Sequence, residues 1–497
     1  MILDFHAAIG RVPTAGRNWK VNDALFWAER CLTDVLLVEH MDNAIHRDDL
    51  PHDALLAACR NEPRRLLAAA TVDLRSDEYG LSVARSARKR GFAAVVLRGP
   101  LFEESRLLGD VLAALRRAPL PIYRPAPGFA EWDALYRIAR SAPEVSFVLA
   151  PNSFEGFELA HRLSDLANVY FSIEHSFYAL GQIEKAVRIV GAERVMYAGD
   201  FPYQHPARPL GVVFDADIAE VERETILSGA ALKLLKRHGI EVPDRQRPTR
   251  RRTAPCAIVD IHGHLGADRE RLDCDRRTET VLGYLERGGG EALYVSSVEG
   301  VFGDVVWGNT AIAEAVARHP QKLRGYAAVN PHEGPAGLDE MRRCHALGFI
   351  GLKPYPCAFE HDLADPIMDP VWDLTESFGW PALCHPRPGN AEDLRRVLAK
   401  RPKARLILAH MTTEYRQKAE IAREFPNAIF EISGAGATLD SIAVSLEIAG
   451  PQKLVFGSDL CIHPIGFTLY PLLCSGLAED VLRAILRENA LGFFHRQ

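Results

Sequence analysis

The sequence predicts an α/β protein built as two tandem (β/α)8 barrels, and three observations predict it. Apolar runs alternate with amphipathic segments along the chain, the second half repeats the order of the first, and a proline- and arginine-rich stretch separates the two. At 497 residues the chain is too long for one ordinary core. Its 47% hydrophobic and 25% charged residues are those of an ordinary globular protein, and a net charge of -6 gives no basic footprint for nucleic acid. Met1 is not followed by a basic region and an apolar run, and no stretch of about 18 apolar residues exists, so neither leader nor membrane span is expected. Nine cysteines without a Cys-x-x-Cys pair suit reduced thiols in a cytoplasmic protein better than a disulfide framework or a cysteine zinc site. Cys357, Cys384 and Cys461 fall near candidate site strands and read as buried small hydrophobes.

The repeat is visible at three places. Ile2-Leu3-Asp4-Phe5-His6-Ala7-Ala8 matches Ile258-Val259-Asp260-Ile261-His262-Gly263-His264. Residues 121–128 resemble 382–389 around a shared X-Pro-x-Pro-Gly, and 195–200 match 454–459. Between the halves, Arg245, Arg247, Arg250, Arg251 and Arg252 lie among three prolines without hydrophobic periodicity. A basic run of this kind fits a nucleic-acid or localisation patch, but within an acidic chain it reads as a solvated linker. The expected organisation is a first barrel over 1–240, a linker over 241–255 and a second barrel over 256–497.

In the second half the apolar runs are 258–262, 292–296, 323–329, 350–353, 381–385, 405–410, 428–432 and 453–456, with helical patterns at 310–318, 338–346, 391–399 and 480–487. Eight strand-like runs alternating with helices match a closed parallel barrel, whose sites form at the carboxyl ends of the strands. An open doubly wound sheet is the alternative, and no glycine-rich phosphate fingerprint follows the first strand to support its dinucleotide-binding form.

Chemistry-bearing residues gather at those ends. His262 and His264, at i and i+2, project from one face of the first strand. Lys353 ends the fourth strand, His385 the fifth, His410 the sixth and Asp459 the eighth. In a barrel these ends share one rim, and unpaired charges buried together are costly, so the set points to a metal. Arg387 reads as a partner for a substrate carboxylate or as a surface arginine. Tyr355, Trp307 and His463, in strand-end loops, are candidates to line the pocket, and Glu431 and Ser433 are candidate supports for the histidines.

The order His-x-His, His, His, Asp, with the closing Asn489-Ala490-Leu491-Gly492-Phe493-Phe494, resembles the amidohydrolase superfamily. It is most similar to the amidohydrolase-related branch that contains hydrolases and the aminocarboxymuconate-semialdehyde decarboxylase group. The resemblance implies that His262, His264, His385 and Asp459 hold one divalent metal, expected as Zn2+ with Mn2+ as the alternative. His410 is implied as the proton-transfer residue. In binuclear members a carboxylated lysine bridges two metals, which would make Lys353 and His410 ligands of a second ion, whereas in the mononuclear branch the resemblance implies a lysine here that packs its stem or contacts substrate. The expected reaction is metal-dependent hydrolysis of an amide, lactone or related acyl bond in a small molecule, with Asp459 accepting a proton from the activated water. The alternative is non-oxidative decarboxylation of a small carboxylated aromatic or unsaturated substrate, and a third reading is an inactive ligand-binding scaffold.

The first half departs from the pattern. Asp4, His6 and Asp200 keep their places, but Ala8 stands for His264, Val96 or Leu97 for Lys353, Arg124 for His385 and Pro151 for His410. It reads as a barrel whose metal site is lost. The branch resemblance implies homodimers in which a neighbour lends an arginine to the active site, so a fused degenerate copy would act as a permanent partner, making an intramolecular pseudo-dimer with Arg162 as the lender. Further homo-oligomerisation stays open, as does a first barrel in which Arg124 grips an acidic group.

Overall fold

A computed structural model describes residues 1–11, 17–75, 77–101, 106–125, 127–151, 156–174, 179–243, 251–266, 277–412, 414–434 and 438–495. The chain divides into two compact units, Met1–Arg251 and Arg252–Gln497. The division falls inside the proline- and arginine-rich stretch, of which 244–250 lie outside the described residues.

The first unit contains eight parallel strands, β1 (Leu3–Arg11), β2 (Val35–His40), β3 (Leu66–Asp73), β4 (Ala94–Arg98), β5 (Ile122–Pro125), β6 (Phe147–Ala150), β7 (Val169–Ile173) and β8 (Val195–Tyr197), paired in chain order. A two-residue strand, Asn18–Trp19, adds antiparallel to the end of β1. The second unit repeats the plan with β9 (Ile258–Leu265), β10 (Gly290–Ser297), β11 (Leu323–Ala328), β12 (Gly351–Lys353), β13 (Pro381–Cys384), β14 (Arg405–Leu408), β15 (Ala428–Glu431) and β16 (Leu454–Val455). Each sheet comes round on itself through a bridge just beyond its last strand, Ala7 with Phe201 and Gly263 with Leu460. All eight runs expected in the second half form strands, and the helix expected at 310–318 spans Val305–Arg318.

Burial explains why these runs are strands. Parallel strands covered on both faces favour continuous apolar sequence over strict alternation, and β13 and β16 are buried at every position. In β9, Val259 and Ile261 join an apolar cluster with Leu383, Ile407, Ala409, Val455 and Phe493, leaving Asp260, His262 and His264 to the alternate positions. The closing motif has a physical role here: the Asn489 amide donates to the carbonyls of Pro451 and Leu454, both at 2.7 Å, and so ties the last helix, Asn489–Phe494, to the start of β16. Among the described residues, no helix is long and apolar enough to cross a membrane.

Candidate metal centre

The centre is assembled at the carboxyl ends of the second unit's strands. His262 donates from Nδ1 to Glu431 Oε2 at 2.9 Å, which leaves its Nε2 lone pair turned inward. That Nε2 lies 3.6 Å from Asp459 Oδ1, and His264 Nε2 lies 3.1 Å from the same oxygen. His264 Nδ1 is 3.0 Å from Ser296 Oγ on β10. One donor atom from each of His262, His264 and Asp459 falls within 4.8 Å of the others, close enough to share one ion. His410 and His385 stand behind this triplet: ring centroids are 4.8 Å apart between His262 and His410, and 4.6 Å between His410 and His385. The His385 Nδ1 hydrogen points to the Pro386 carbonyl at 3.2 Å, leaving Nε2 as its donor atom.

Hydrogen bonds fix the orientation of each group. Glu431 Oε2 also accepts from the His410 backbone at 3.1 Å and from Ser433 Oγ at 2.9 Å, while Ser433 Oγ accepts from His410 Nδ1 at 2.8 Å. One buried carboxylate and one hydroxyl thereby orient two imidazoles, the outer support that metal-ligating histidines require. His410 and Asp459 take left-handed backbone angles, φ +67° and +63°, that turn their side chains out of the strand line. The buried Lys418 ammonium, from the helix Tyr415–Glu424, donates to the Ala409 carbonyl at 2.8 Å, the His410 carbonyl at 2.9 Å and Thr412 Oγ1 at 3.2 Å, holding the first of those turns in place. Beneath them Asp260 accepts from His262 N at 3.1 Å and Ser458 N at 3.0 Å, and from the Ser458 hydroxyl, pinning β9 to the turn before Asp459.

The protonation states suit a divalent ion. Burial, with neighbouring positive charge, pushes His264 down to about 4 and His385 to about 3, and it drives His410 well below the usual imidazole value. Burial opposes ionisation of Asp459, but the His264 hydrogen bond and the nearby imidazoles of His262 and His410 hold it well below the carboxylate range. Neutral imidazoles and an ionised carboxylate are the forms that ligate zinc or manganese.

Lys353 is 1% exposed and donates from Nζ to His262 Nε2 at 2.8 Å. Burial pushes its ammonium down to about 8 from 10.5, with Asp459 and Glu431 opposing. For a cation with a depressed folded value, the burial penalty is fully present below about pH 8 and relieved as pH rises towards 10.5. Metal-free protein is therefore expected to gain about 3 kcal/mol relative to Lys353→Met across that window. Urea unfolding of both proteins at about pH 7.5 and about pH 10 measures it, and parallel curves would count against a buried, charged Lys353.

Of the other expected residues, Tyr355 and His463 adjoin the centre, and the rest stand elsewhere. Tyr355 packs its ring 5.1 Å from His385 and 5.4 Å from Phe302. His463 is buried, its ring stacked 4.5 Å from Phe467. Trp307 belongs to the first turn of the helix Val305–Arg318 and not to a loop, because Asp304 caps that turn by accepting from Trp307 N at 2.8 Å, and its side chain is 57% exposed. Arg387 is exposed on the loop after β13. Arg162 closes the helix Gly156–Arg162, pairs with Asp133 and sits 5.6 Å over the Tyr136 ring. Arg124 is not open to an outside acid: its guanidinium donates to both Glu131 oxygens, at 2.7 and 2.8 Å, and to the Leu97 carbonyl at 3.0 Å. Ser296, Lys418 and the bracing role of Asp260 escaped the sequence reading. Asp260 had a signal in its fixed place two residues before His262, whereas Ser296 and Lys418 have none outside the folded chain.

A family model described as amidohydrolase matches residues 16–237 and again 259–496. The chain is similar to the solved 2,6-dihydroxybenzoate decarboxylase from Rhizobium, at 17% identity over 49% of this chain and 98% of that one, with a TM-score of 0.39. It is similar to 5-carboxyvanillate decarboxylase from Sphingomonas paucimobilis at 17% identity, over 44% and 82% of the two chains, with a TM-score of 0.36. A dihydroxybenzoic acid decarboxylase from Polaromonas, solved with bound manganese, matches at 16% identity over 48% and 97%, with a TM-score of 0.39. No curated protein matches the chain.

Proposed function

The chain belongs to the amidohydrolase family, and from that premise we propose that its second barrel is a metal-dependent enzyme that releases carbon dioxide from a small carboxylated molecule without oxidation. The observation that carries this reading is the position of Lys353. Its hydrogen-bond acceptor, His262 Nε2 at 2.8 Å, is the nitrogen a metal would take. An ion there removes that acceptor, and a buried ammonium left without a partner is costly. Glu431 is already engaged by His262, His410 and Ser433. A substrate carboxylate supplies the missing anion.

His262, His264 and Asp459 fit a divalent ion as they stand, and His385 completes the set in this reading, with zinc or manganese as the occupant. When bound, the ion supplies Lewis-acid polarisation of substrate oxygens and an acidified water. Lys353 orients the carboxylate. The bond from the ring or vinyl carbon to the carboxyl carbon breaks, releasing carbon dioxide and leaving its electron pair on the former carbon, and that carbon takes a proton that His410 Nε2 first accepts from solvent water and then passes on. Ser433, bonded to His410 Nδ1, keeps that nitrogen facing inward.

Hydrolysis of an acyl bond is the second reading, favoured by Asp459, an ionised acceptor 3.1 Å from His264 Nε2 and well placed to take a proton from water. Metal-loaded protein offered carboxylated ring compounds, lactones and acylated amines separates the two. Stoichiometric carbon dioxide is expected; a new acid with an amine or alcohol and no carbon dioxide would replace the first reading with the second. Failure to hold any metal would favour the ligand-binding scaffold. Chelation provides a parallel check: metal at about a hundred times its dissociation constant adds about 2.7 kcal/mol, so its removal is expected to lower the melting temperature of this barrel by about 5–10 °C.

A further inference from the structure

The first barrel has lost the ligand pattern of the second, yet its mouth holds a different donor set. His6, on β1, is 2% exposed and donates from Nε2 to Glu39 Oε1 at 2.9 Å. Glu39 on β2 is itself held by Arg98, whose Nε donates at 3.1 Å, and by Thr71 Oγ1 at 3.2 Å. The Tyr123 ring stacks on the imidazole at 4.4 Å and fixes its plane. With Nε2 so committed, Nδ1 is the ring nitrogen turned towards the two remaining carboxylates. It is buried, makes no hydrogen bond, and lies 3.2 Å from Asp200 Oδ1 and 3.5 Å from Glu174 Oε1. Both carboxylates are buried, and one donor atom from each of the three residues lies within 4.8 Å of the others.

We propose that the first barrel binds a divalent cation of the manganese type at His6 Nδ1, Glu174 and Asp200. Donor atoms around one such ion sit about 3 Å apart when the bonds are about 2.1 Å, which the separations above approach. A proton on Nδ1 would meet two converging carboxylates with a single charge; a divalent ion meets them with two and ligates all three atoms. One imidazole with two carboxylates is an oxygen-rich set that suits manganese better than a zinc site rich in histidine or cysteine.

The two barrels hold their equivalent histidines by opposite ring nitrogens. In the second, Glu431, the last residue of β15, holds His262 by Nδ1 and sends Nε2 inward. In the first, Glu39 holds His6 by Nε2; Ser172 stands in the strand register where Glu431 stands in the second, and Glu174, two residues on at the place of Ser433, faces Nδ1 as a donor. The histidines missing at Ala8, Arg124 and Pro151 are then replaced by a carboxylate at a place where the other barrel carries only a supporting hydroxyl.

The test uses the full chain with the second centre disabled by His264→Ala and Asp459→Ala. Loaded with Mn2+ and dialysed, this protein is expected to retain one equivalent, and Mn2+ is expected to raise its melting temperature. Adding Glu174→Gln or Asp200→Asn is expected to weaken Mn2+ binding at least about tenfold and abolish the thermal response, with the folded state checked by circular dichroism. If the disabled chain retains no Mn2+ and its melting temperature does not respond, His6 is an imidazolium in an ion-pair network and the proposal fails. Full Mn2+ retention in both carboxylate variants overturns it equally. Should either variant fail to fold, the other and the response of the disabled parent decide.

Discussion

Replacing His385 with alanine is expected to strip metal and turnover from the second barrel together. The side chain stands at the end of β13 with its Nδ1 hydrogen committed to the Pro386 carbonyl, so only Nε2 remains for a ligand. Burial keeps the ring neutral down to about pH 3, so no competing proton occupies that nitrogen at working pH. Loss of an orienting partner in such centres costs roughly 10–100-fold in metal affinity or activity, and loss of a ligand is expected to exceed that range. Metal content and kcat measured on the same preparation check the result. If activity survives while metal is retained, His385 lies outside the coordination set and the centre rests on His262, His264 and Asp459.

Asp260→Ala is expected to destabilise the second barrel by roughly 2–4 kcal/mol without removing any ligand. The carboxylate accepts from His262 N, Ser458 N and the Ser458 hydroxyl, joining the first strand to the turn that follows the last. Truncation leaves two buried backbone donors unsatisfied, each costing about 1–3 kcal/mol before the site relaxes. Burial lifts the Asp260 carboxyl to about 7, so the part of this brace that depends on charge is open to titration near neutrality. Thermal melts of metal-free protein should show the loss; an unchanged melting temperature would mean that water replaces the carboxylate.

The strands were legible because parallel strands buried on both faces leave apolar runs that little else in a globular chain imitates. The candidate site residues were legible because each stands at or just past the place where such a run stops, as His262, His385, His410 and Asp459 do. What the sequence concealed was partnership across the fold. Ser296 meets His264 and Lys418 caps the turn at His410 only once neighbouring strands and the following helix are in place. The same limit applies in the first barrel, where Glu39 and Glu174 reach one imidazole from strands far apart in the chain. Trp307 reads as a loop residue in the sequence because no apolar periodicity announces the first turn of a helix capped by Asp304.

The left-handed backbone at His410 and Asp459, shared by Asp200 at φ +53°, places opposing demands on any effort to improve this protein. Histidine and aspartate enter that region more readily than most residues, but still at an energetic cost that glycine escapes. A library selected only for thermal endurance is therefore expected to drift towards glycine at these positions, gaining about 1 kcal/mol at each while erasing the chemistry. Hardening this scaffold and keeping it active are separate optimisations, and these positions are where they part.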